Sequence, residues 1–406
     1  MSRVILHCDC NSFFASVETA LNPKYKNVPM AVCGSVEDRH GIVLAKNELA
    51  KKYGIITAET VHSAKKKCPH LVIAQPHYEE YSKFSKNVNE IYSRYTDMIE
   101  PFGIDESWLD VTASQKIFGN GFEIAERIRR EVKNEIGITV SIGVSFNKVF
   151  AKLGSDYKKP DAITVISENN FRDLIFPLPV TDLLFVGKKT SEVLYSMGIR
   201  TIGELAATSR EMLVSRLGKM GDMLHRYSNG YDDSPVAEAR EDAKSVSNGF
   251  TFRHDLVKLE ECKVGIEYLS EEIGRRLRKQ NQLCKTVSIT VKDEYLRSIQ
   301  RQRSLNIPTD IAKEISDVAY DILLNEWSRG KPIRMITVSA TNLVRRDMFA
   351  DQISLFEDTN NPKREKNQKI EETVDNIRQK FGNDSIINGA IIDTDIGIYN
   401  PKSKKE

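Results

Sequence analysis

The sequence predicts an α+β chain of several domains, on three observations. Residues 1 to about 180 alternate strand-like and helix-like runs, residues 181 to about 230 are helical with short loops, and from Lys244 the order becomes β-α-β-β-α-β. That last order is ferredoxin-like and fills an independent unit of about 100 residues.

In the first region Val4, Ile5 and Leu6 form a short apolar strand that leads to Asp9. Phe13, Phe14, Val17 and Leu21 follow at helical spacing, with Ser12 placed as an N-cap. Residues 30–33 and 42–44 read as strands, 78–99 and 122–136 as amphipathic helices, and 139–144 as a further strand. Strands and helices in this order suit a mixed sheet with helical layers. The helical region carries Val186-Gly187-Lys188-Lys189-Thr190 and two further glycines, Gly198 and Gly203. Residues 231–243 are polar and aperiodic, so they read as a linker. Beyond it come a strand (244–252), a helix (258–279), two strands (283–293 and 296–305), a helix (309–326) and a strand (333–343). Residues 347–364 are polar again, and 366–381 have the pattern of a last helix.

Composition narrows the classes. With 406 residues there is length for two to four domains at ~150 residues each. Lys+Arg is 59 against 57 Asp+Glu, a net charge of +2, which excludes a histone-like polycation but leaves room for a local basic face. The 40% hydrophobic and 29% charged content excludes wholesale disorder. The first apolar run stops at His7, too short for a signal-peptide core. No stretch approaches the ~18 apolar residues of a membrane span. Six scattered cysteines, none in a C-x-x-C pair, indicate reduced thiols and neither a zinc site nor a disulfide framework. The expectation is a cytoplasmic chain with no membrane partner, and a monomer by default.

Two acidic spots stand at predicted strand ends: Asp9, and the pair Asp105-Glu106 beyond a bend at Gly103. Adjacent strands would bring the three carboxylates to one rim of a sheet. There they repel unless cations neutralise them, and oxygen ligands of this kind suit Mg²⁺. Two such ions ~3.5–4 Å apart clamp the attacking and leaving oxygens of a phosphoryl transfer. Isolated acidic residues in turns are more often simply solvated, so the pattern gains weight from its neighbours.

Those neighbours resemble a family. His7-Cys8-Asp9-Cys10-Asn11-Ser12-Phe13-Phe14-Ala15-Ser16-Val17-Glu18 is similar to the first motif of Y-family (translesion) DNA polymerases. Gly103-Ile104-Asp105-Glu106-Ser107-Trp108-Leu109-Asp110 resembles their Asp-Glu motif. Ser141-Ile142-Gly143-Val144-Ser145 through Asn147-Lys148-Val149-Phe150-Ala151-Lys152, then Lys158-Lys159-Pro160, resembles their third block. The blocks keep order and spacing over roughly residues 1–345.

The resemblance implies a right-hand polymerase: a ferredoxin-like palm (1–24 and 77–180), small fingers (25–76), a helical thumb (181–230), a linker (231–243), a βαββαβ little finger (244–346) and a tail (347–406). It implies a low-fidelity, template-directed enzyme adding dNTPs to a primer 3′-hydroxyl and tolerating damaged templates. Fingers of about 50 residues leave no room for a long closing helix, in keeping with an open nucleotide site. Carried onto this sequence, Asp9, Asp105 and Glu106 would bind two Mg²⁺ with the backbone carbonyl of Cys10, and Glu106 would be the catalytic residue. Phe14 would be the steric gate against a ribose 2′-hydroxyl, and Phe13 beside it is grouped with the nucleotide-binding residues, although its spacing suits the core better. Lys51 and Lys159 would meet the triphosphate. Two departures stand out there: Glu48 replaces a usual Tyr, and Lys51 replaces a usual Arg and so lacks the bidentate fork. Glu48 is excluded as a triphosphate ligand on charge. Asn11 replaces a frequent Asp and keeps an oxygen without the charge.

DNA grip is expected from a helix-hairpin-helix at Gly187, Lys188 and Lys189, whose turn would offer N–H groups to a phosphate without sequence readout. Between Arg275 and Arg303 nine Lys/Arg face two Asp/Glu. Arg297, Arg301 and Arg303 recur at even spacing on a strand, share one face, and would make a basic sheet face for a duplex. Gln352-Ile353-Ser354-Leu355-Phe356 resembles a peptide that docks on a sliding clamp, with Gln352, Leu355 and Phe356 as contacts. A palm-type nucleotide cyclase and a non-catalytic DNA-binding accessory protein are the alternatives. The duplex-gripping elements disfavour the first and the three intact carboxylates the second.

Overall fold

The computed structural model describes residues 3–36, 39, 41–236, 243–327, 331–348, 362–392 and 394–398. The peptide expected to dock on a clamp, residues 352–356, lies outside them. The chain forms two compact units, residues 1–34 with 42–240 and residues 35–41 with 241–406.

In the first unit the strands are β1 (Ile5–Cys10), β2 (Met30–Cys33), β3 (Val43–Lys46), β4 (Val72–Ala74), β5 (Ile99–Pro101), β6 (Glu106–Asp110), β7 (Val140–Ser145) and β8 (Ile163–Ile166). Five of them make a mixed sheet of order β5-β6-β1-β7-β8 with β1 at its centre. β1 runs antiparallel to both neighbours, and β7 pairs with β8 in parallel. A central strand is buried on both faces, so alternation along it is hidden: all six residues of β1 are buried. Leu6, Cys8 and Cys10 join the core under the helices Tyr78–Tyr92 and Gly121–Glu131. Ile5 joins Trp108 and Ala151 on the other side, where the helix Lys148–Tyr157 lies.

That second helix can approach because Gly143 has no side chain. A Cβ there would fall 1.9 Å from the Ala151 carbonyl oxygen and 2.5 Å from the Ser155 nitrogen. β2, β3 and β4 form a separate three-stranded sheet in the segment expected to be small fingers. The helices between these strands, Glu48–Lys51 and Val61–Lys67, are short. Residues 181–230 hold four helices, Lys188–Ser196, Ile202–Ala207, Arg210–Leu217 and Lys219–Ser228, around Leu194, Ile202, Leu205, Leu213 and Leu224.

Several expected elements shift. Asp9 lies inside β1 rather than after it, because pairing with β6 reaches Asp9 and pairing with β7 extends the strand to Cys10. The helix expected over 78–99 ends at Tyr92, since Ile99 is taken into β5 opposite Leu109. The helix expected over 122–136 begins at a capping box on Asn120 and Glu123 and finishes in a wider turn over Val132–Ile136 before Gly137. Ser12 makes no cap: it sits in the left-handed region at φ 48°.

The second unit has β9 (Ser245–Leu256), β10 (Gln282–Asp293), β11 (Ser298–Thr309) and β12 (Ile333–Arg345) in the order β11-β10-β12-β9. The helices Leu259–Lys279 and Ala312–Glu326 cover one face, with Val287, Ile289, Val291, Ile336 and Val338 beneath them. A tail helix, Pro362–Phe381, packs on this layer through Arg278 with Asp375 at 2.6 Å, Arg378 with Glu271 at 2.9 Å and Arg364 with Glu314 at 3.1 Å. Ile396 is fully buried, and its carbonyl accepts from the Arg253 amide on edge strand β9 at 3.1 Å.

The expected basic sheet face is not there. Arg297 stands in the turn before β11, and Arg301 and Arg303 do share a side of the sheet, but Ile299 and Leu305, at the same parity, pack against the helical core. Each guanidinium meets a carboxylate: Arg297 with Asp293 at 3.1 Å, Arg301 with Glu326 at 2.9 Å, and Arg303 with Asp321. The register puts other residues on the opposite face, in cross-strand rows such as Gln302-Ser288-Ser339-Ser247 and Gln300-Thr290-Thr337-Gly249. Hydroxyl and amide side chains make up most of these rows, with Lys292 beside Ser298 and Met335 at one end.

Gly143→Ala should therefore lower the melting temperature by roughly 3–8 °C, as overpacking of about 1–3 kcal/mol does in a unit of this size. Gly187→Ala, where a Cβ meets nothing within 4 Å, should leave it unchanged. Scanning calorimetry of the two variants checks the contrast.

Candidate active site

The register of β1 against β6 assembles the site. Asp9 lies opposite Glu106 and His7 opposite Trp108, so all four occupy one face of the sheet. The Cys10 amide donates to the Asp105 carbonyl at 3.0 Å, which brings the third carboxylate to the same rim and leaves the Cys10 backbone beside it. The three expected carboxylates are thus together.

Lone anions buried this closely would be costly, and two lysines answer them. Lys152, from the helix Lys148–Tyr157, reaches Glu106 Oε2 at 2.7 Å and Asp9 Oδ2 at 3.1 Å. Lys159 reaches Asp9 Oδ2 and Asp156 Oδ1, both at 2.7 Å. Burial alone would push Glu106 up, yet His7 and Lys152 outweigh it and hold the carboxyl down at about 2. Asp105 lacks such help: burial, with Asp9 and Glu106 close by, pushes it up to about 6. Burial opposes the charge on both lysines, but the surrounding carboxylates raise them above the usual ammonium range.

His7 was missed by motif reasoning, although its place two residues before Asp9 on a strand put it on the same face. It is wholly buried, stands edge-on to Trp108 at 5.2 Å, and shares a 2.8 Å hydrogen bond between Nδ1 and the Ser155 hydroxyl. Its Nε2 lies 3.3 Å from Glu106 Oε2, and neither atom makes an aligned hydrogen bond. Donor atoms of His7, Asp9 and Glu106 fall within 4.8 Å of one another, a group able to hold a metal ion. Lys152 was also missed; it stood in a motif but carried no assigned role.

The remaining expected residues divide. Phe14 is half-buried and stacks on Tyr81 with ring centres 4.1 Å apart. Tyr81 is itself held by the buried Glu18, which also meets His77 at 2.9 Å. Phe13 is buried in the core at 3% exposure, which corrects its grouping with the nucleotide site. Asn11 is fully engaged within the fold: its amide donates to Ser141, and its oxygen accepts from Thr139 and the Asp161 amide. Lys51 is bound by Glu48 at 2.6 Å. Gly187, Lys188 and Lys189 are exposed at the start of a nine-residue helix. Among the described residues no helix is long and apolar enough to cross a membrane, and all six cysteines are free and buried.

Comparison with known proteins agrees with this geometry. Residues 8–156 match the impB/mucB/samB family, 243–355 its C-terminal domain, and 181–232 the thumb domain described for DNA polymerase iota. The chain is 50% identical over 394 residues to a DNA polymerase IV of Acetivibrio thermocellus, covering 97% of this chain and 98% of that one. It is 37% identical to a DNA polymerase IV of Clostridium kluyveri, over 97% and 99% of the two chains. Among solved structures, a Y-family DNA polymerase chimera superposes with a TM-score of 0.75 at 25% identity, over 84% of this chain and 99% of that one. With the fold, the carboxylate rim and these likenesses in agreement, the chain belongs to the Y-family DNA polymerases and is a DNA-directed DNA polymerase of the translesion type.

Proposed function

We propose that synthesis takes place at the rim of β1 and β6, with Asp9, Asp105, Glu106 and the Cys10 carbonyl holding two Mg²⁺. The observation that carries this reading is the direct opposition of Asp9 and Glu106 across paired strands, with Asp105 joined to the same rim. An oxygen-rich donor set in which donor atoms of Asp9 and Glu106 lie within 4.8 Å of each other fits a hard divalent cation. Bound there, the metal pair supplies charge stabilisation to the attacking and leaving oxygens.

The chain's own groups do the rest by positioning. Glu106, held ionised near 2, offers a permanent anion beneath the primer terminus, while Lys152 and Lys159 neutralise the rim between turnovers. When nucleotide arrives, the Lys159 ammonium is free to leave Asp9 for a phosphate oxygen. Phe14, fixed from below by Tyr81, presents a rigid ring to the sugar. Residues 1–24 with 77–180 act as palm, 25–76 as fingers, 181–230 as thumb and 244–346 as little finger. Primer-template DNA is gripped in part at Gly187, Lys188 and Lys189, where the free space around Gly187 suits close backbone approach. The arrangement of Arg297, Arg301 and Arg303 does not support a sheet-borne DNA contact. A sliding clamp docks through Gln352, Leu355 and Phe356, and the enzyme works in the cytoplasm as a monomer.

Primer extension on intact and abasic templates tests the reading. Asp105→Ala should abolish extension while primer-template binding persists. Phe14→Ala should raise ribonucleotide incorporation relative to deoxyribonucleotide by about a hundredfold; an unchanged ratio removes the gate from Phe14. Because Asp105 titrates near 6, protons compete with metal below that pH. The Mg²⁺ needed for half-maximal extension should rise by up to about tenfold per pH unit below 6 and stay flat from 7 to 8.

A further inference from the structure

Glu48 is excluded as a phosphate ligand by its charge, yet it stands at one of the positions where the chain departs from the family's usual pattern. Its surroundings give it another use. Glu48 Oε1 accepts from the Ser12 hydroxyl at 3.1 Å and from the Lys51 ammonium at 2.6 Å. The Lys51 contact alone would be an ordinary exposed pair three residues apart, worth little. The Ser12 contact is different, because it ties the helix Glu48–Lys51 to a residue 36 positions earlier. Ser12 is in the left-handed region at φ 48° and ψ 44°, an unusual conformation for a residue with a side chain. Ser12 therefore stands ahead of the helix Phe13–Leu21 without capping it, and its hydroxyl turns to Glu48 instead. One carboxylate oxygen thus collects a hydroxyl and an ammonium from two segments, and that donor pair is what a phosphate oxygen would recruit. Ser12 is three residues from Asp9 and two from Phe14 along the chain, which ties the pair to the segment that carries the proposed nucleotide site.

We propose that Glu48 is an internal stand-in for a phosphate oxygen: in the nucleotide-free enzyme it holds Lys51 and Ser12, and the polyphosphate tail of an incoming nucleoside triphosphate must displace it. Glu48 is thus a specificity-determining residue that weakens nucleotide binding. It restrains Lys51 until a ligand with more negative charge than one carboxylate competes for it. Diphosphates, carrying less charge, are disadvantaged more than triphosphates. The proposal rests on the reading of this region as the triphosphate site.

Steady-state extension with Glu48→Gln tests it, since glutamine keeps the size and an acceptor oxygen but loses the charge. The KM for dNTP should fall roughly fivefold, as expected for one unit charge removed about 4 Å from a phosphate in a solvated site. The change should be confined to KM, with kcat moving less than KM. Lys51→Ala should raise KM more in the Glu48→Gln background than in the native one, because only there is the ammonium unrestrained. A folded Glu48→Gln enzyme with unchanged or raised KM overturns the proposal, as does equal cost of Lys51→Ala in both backgrounds. If Lys51→Ala changes KM in neither background, the triphosphate-site reading itself falls. Glu48→Ala serves if the glutamine variant melts early, and its KM should fall in the same direction.

Discussion

Three carboxylates gathered on a buried sheet rim are the constraint around which the first unit is built. Anions at this spacing repel, and burial removes the water that would screen them. The fold answers with two ammonium groups from one helix and the turn after it, Lys152 and Lys159. Those groups reach the rim only because the helix Lys148–Tyr157 lies flush on the sheet. It lies flush only because position 143 has no side chain. A backbone accommodation on β7, one strand in from the border of the sheet, thus sets the charge state of the chemistry.

The same constraint separates the three acids. Glu106 is stabilised by Lys152 and His7 and stays ionised, whereas Asp105 has no cation of comparable closeness and titrates near 6. Identical chemistry yields different readiness for a metal because the neighbours differ. His7 contributes from beneath, anchored to Ser155 and set edge-on to Trp108. Asn11, often a carboxylate in this family, here adds no fourth charge and instead stitches β1 to Ser141, Thr139 and Asp161.

Much of this was legible in the sequence. The mixed sheet, the βαββαβ unit and the meeting of Asp9 with Asp105 and Glu106 follow from strand-end acids and recognisable motifs. The extent of strands did not, because β1 is buried on both faces and shows no alternation to read. Even spacing placed Arg301 and Arg303 on one side, while Arg297 falls in the turn before the strand, and spacing alone does not say which side. Ile299 and Leu305, sharing their parity, held that answer and point to the core. His7 was readable by the same rule of two from Asp9. The Ser12–Glu48 contact was not, since it depends on a left-handed residue and on a partner 36 positions away.

The arginines of β11 then acquire a different meaning. β9 and β11 are the two borders of a four-stranded sheet, and each strand is 12 residues long. A border of that length offers unpaired backbone groups to any passing strand, including one from another copy. Part of β9 is already occupied, since the tail carbonyl of Ile396 takes the Arg253 amide. β11 instead carries Arg301 and Arg303, two long, half-exposed side chains beside that border. A strand pairing along that border would have to pass the long side chains of Arg301 and Arg303, which lean from it onto Glu326 and Asp321.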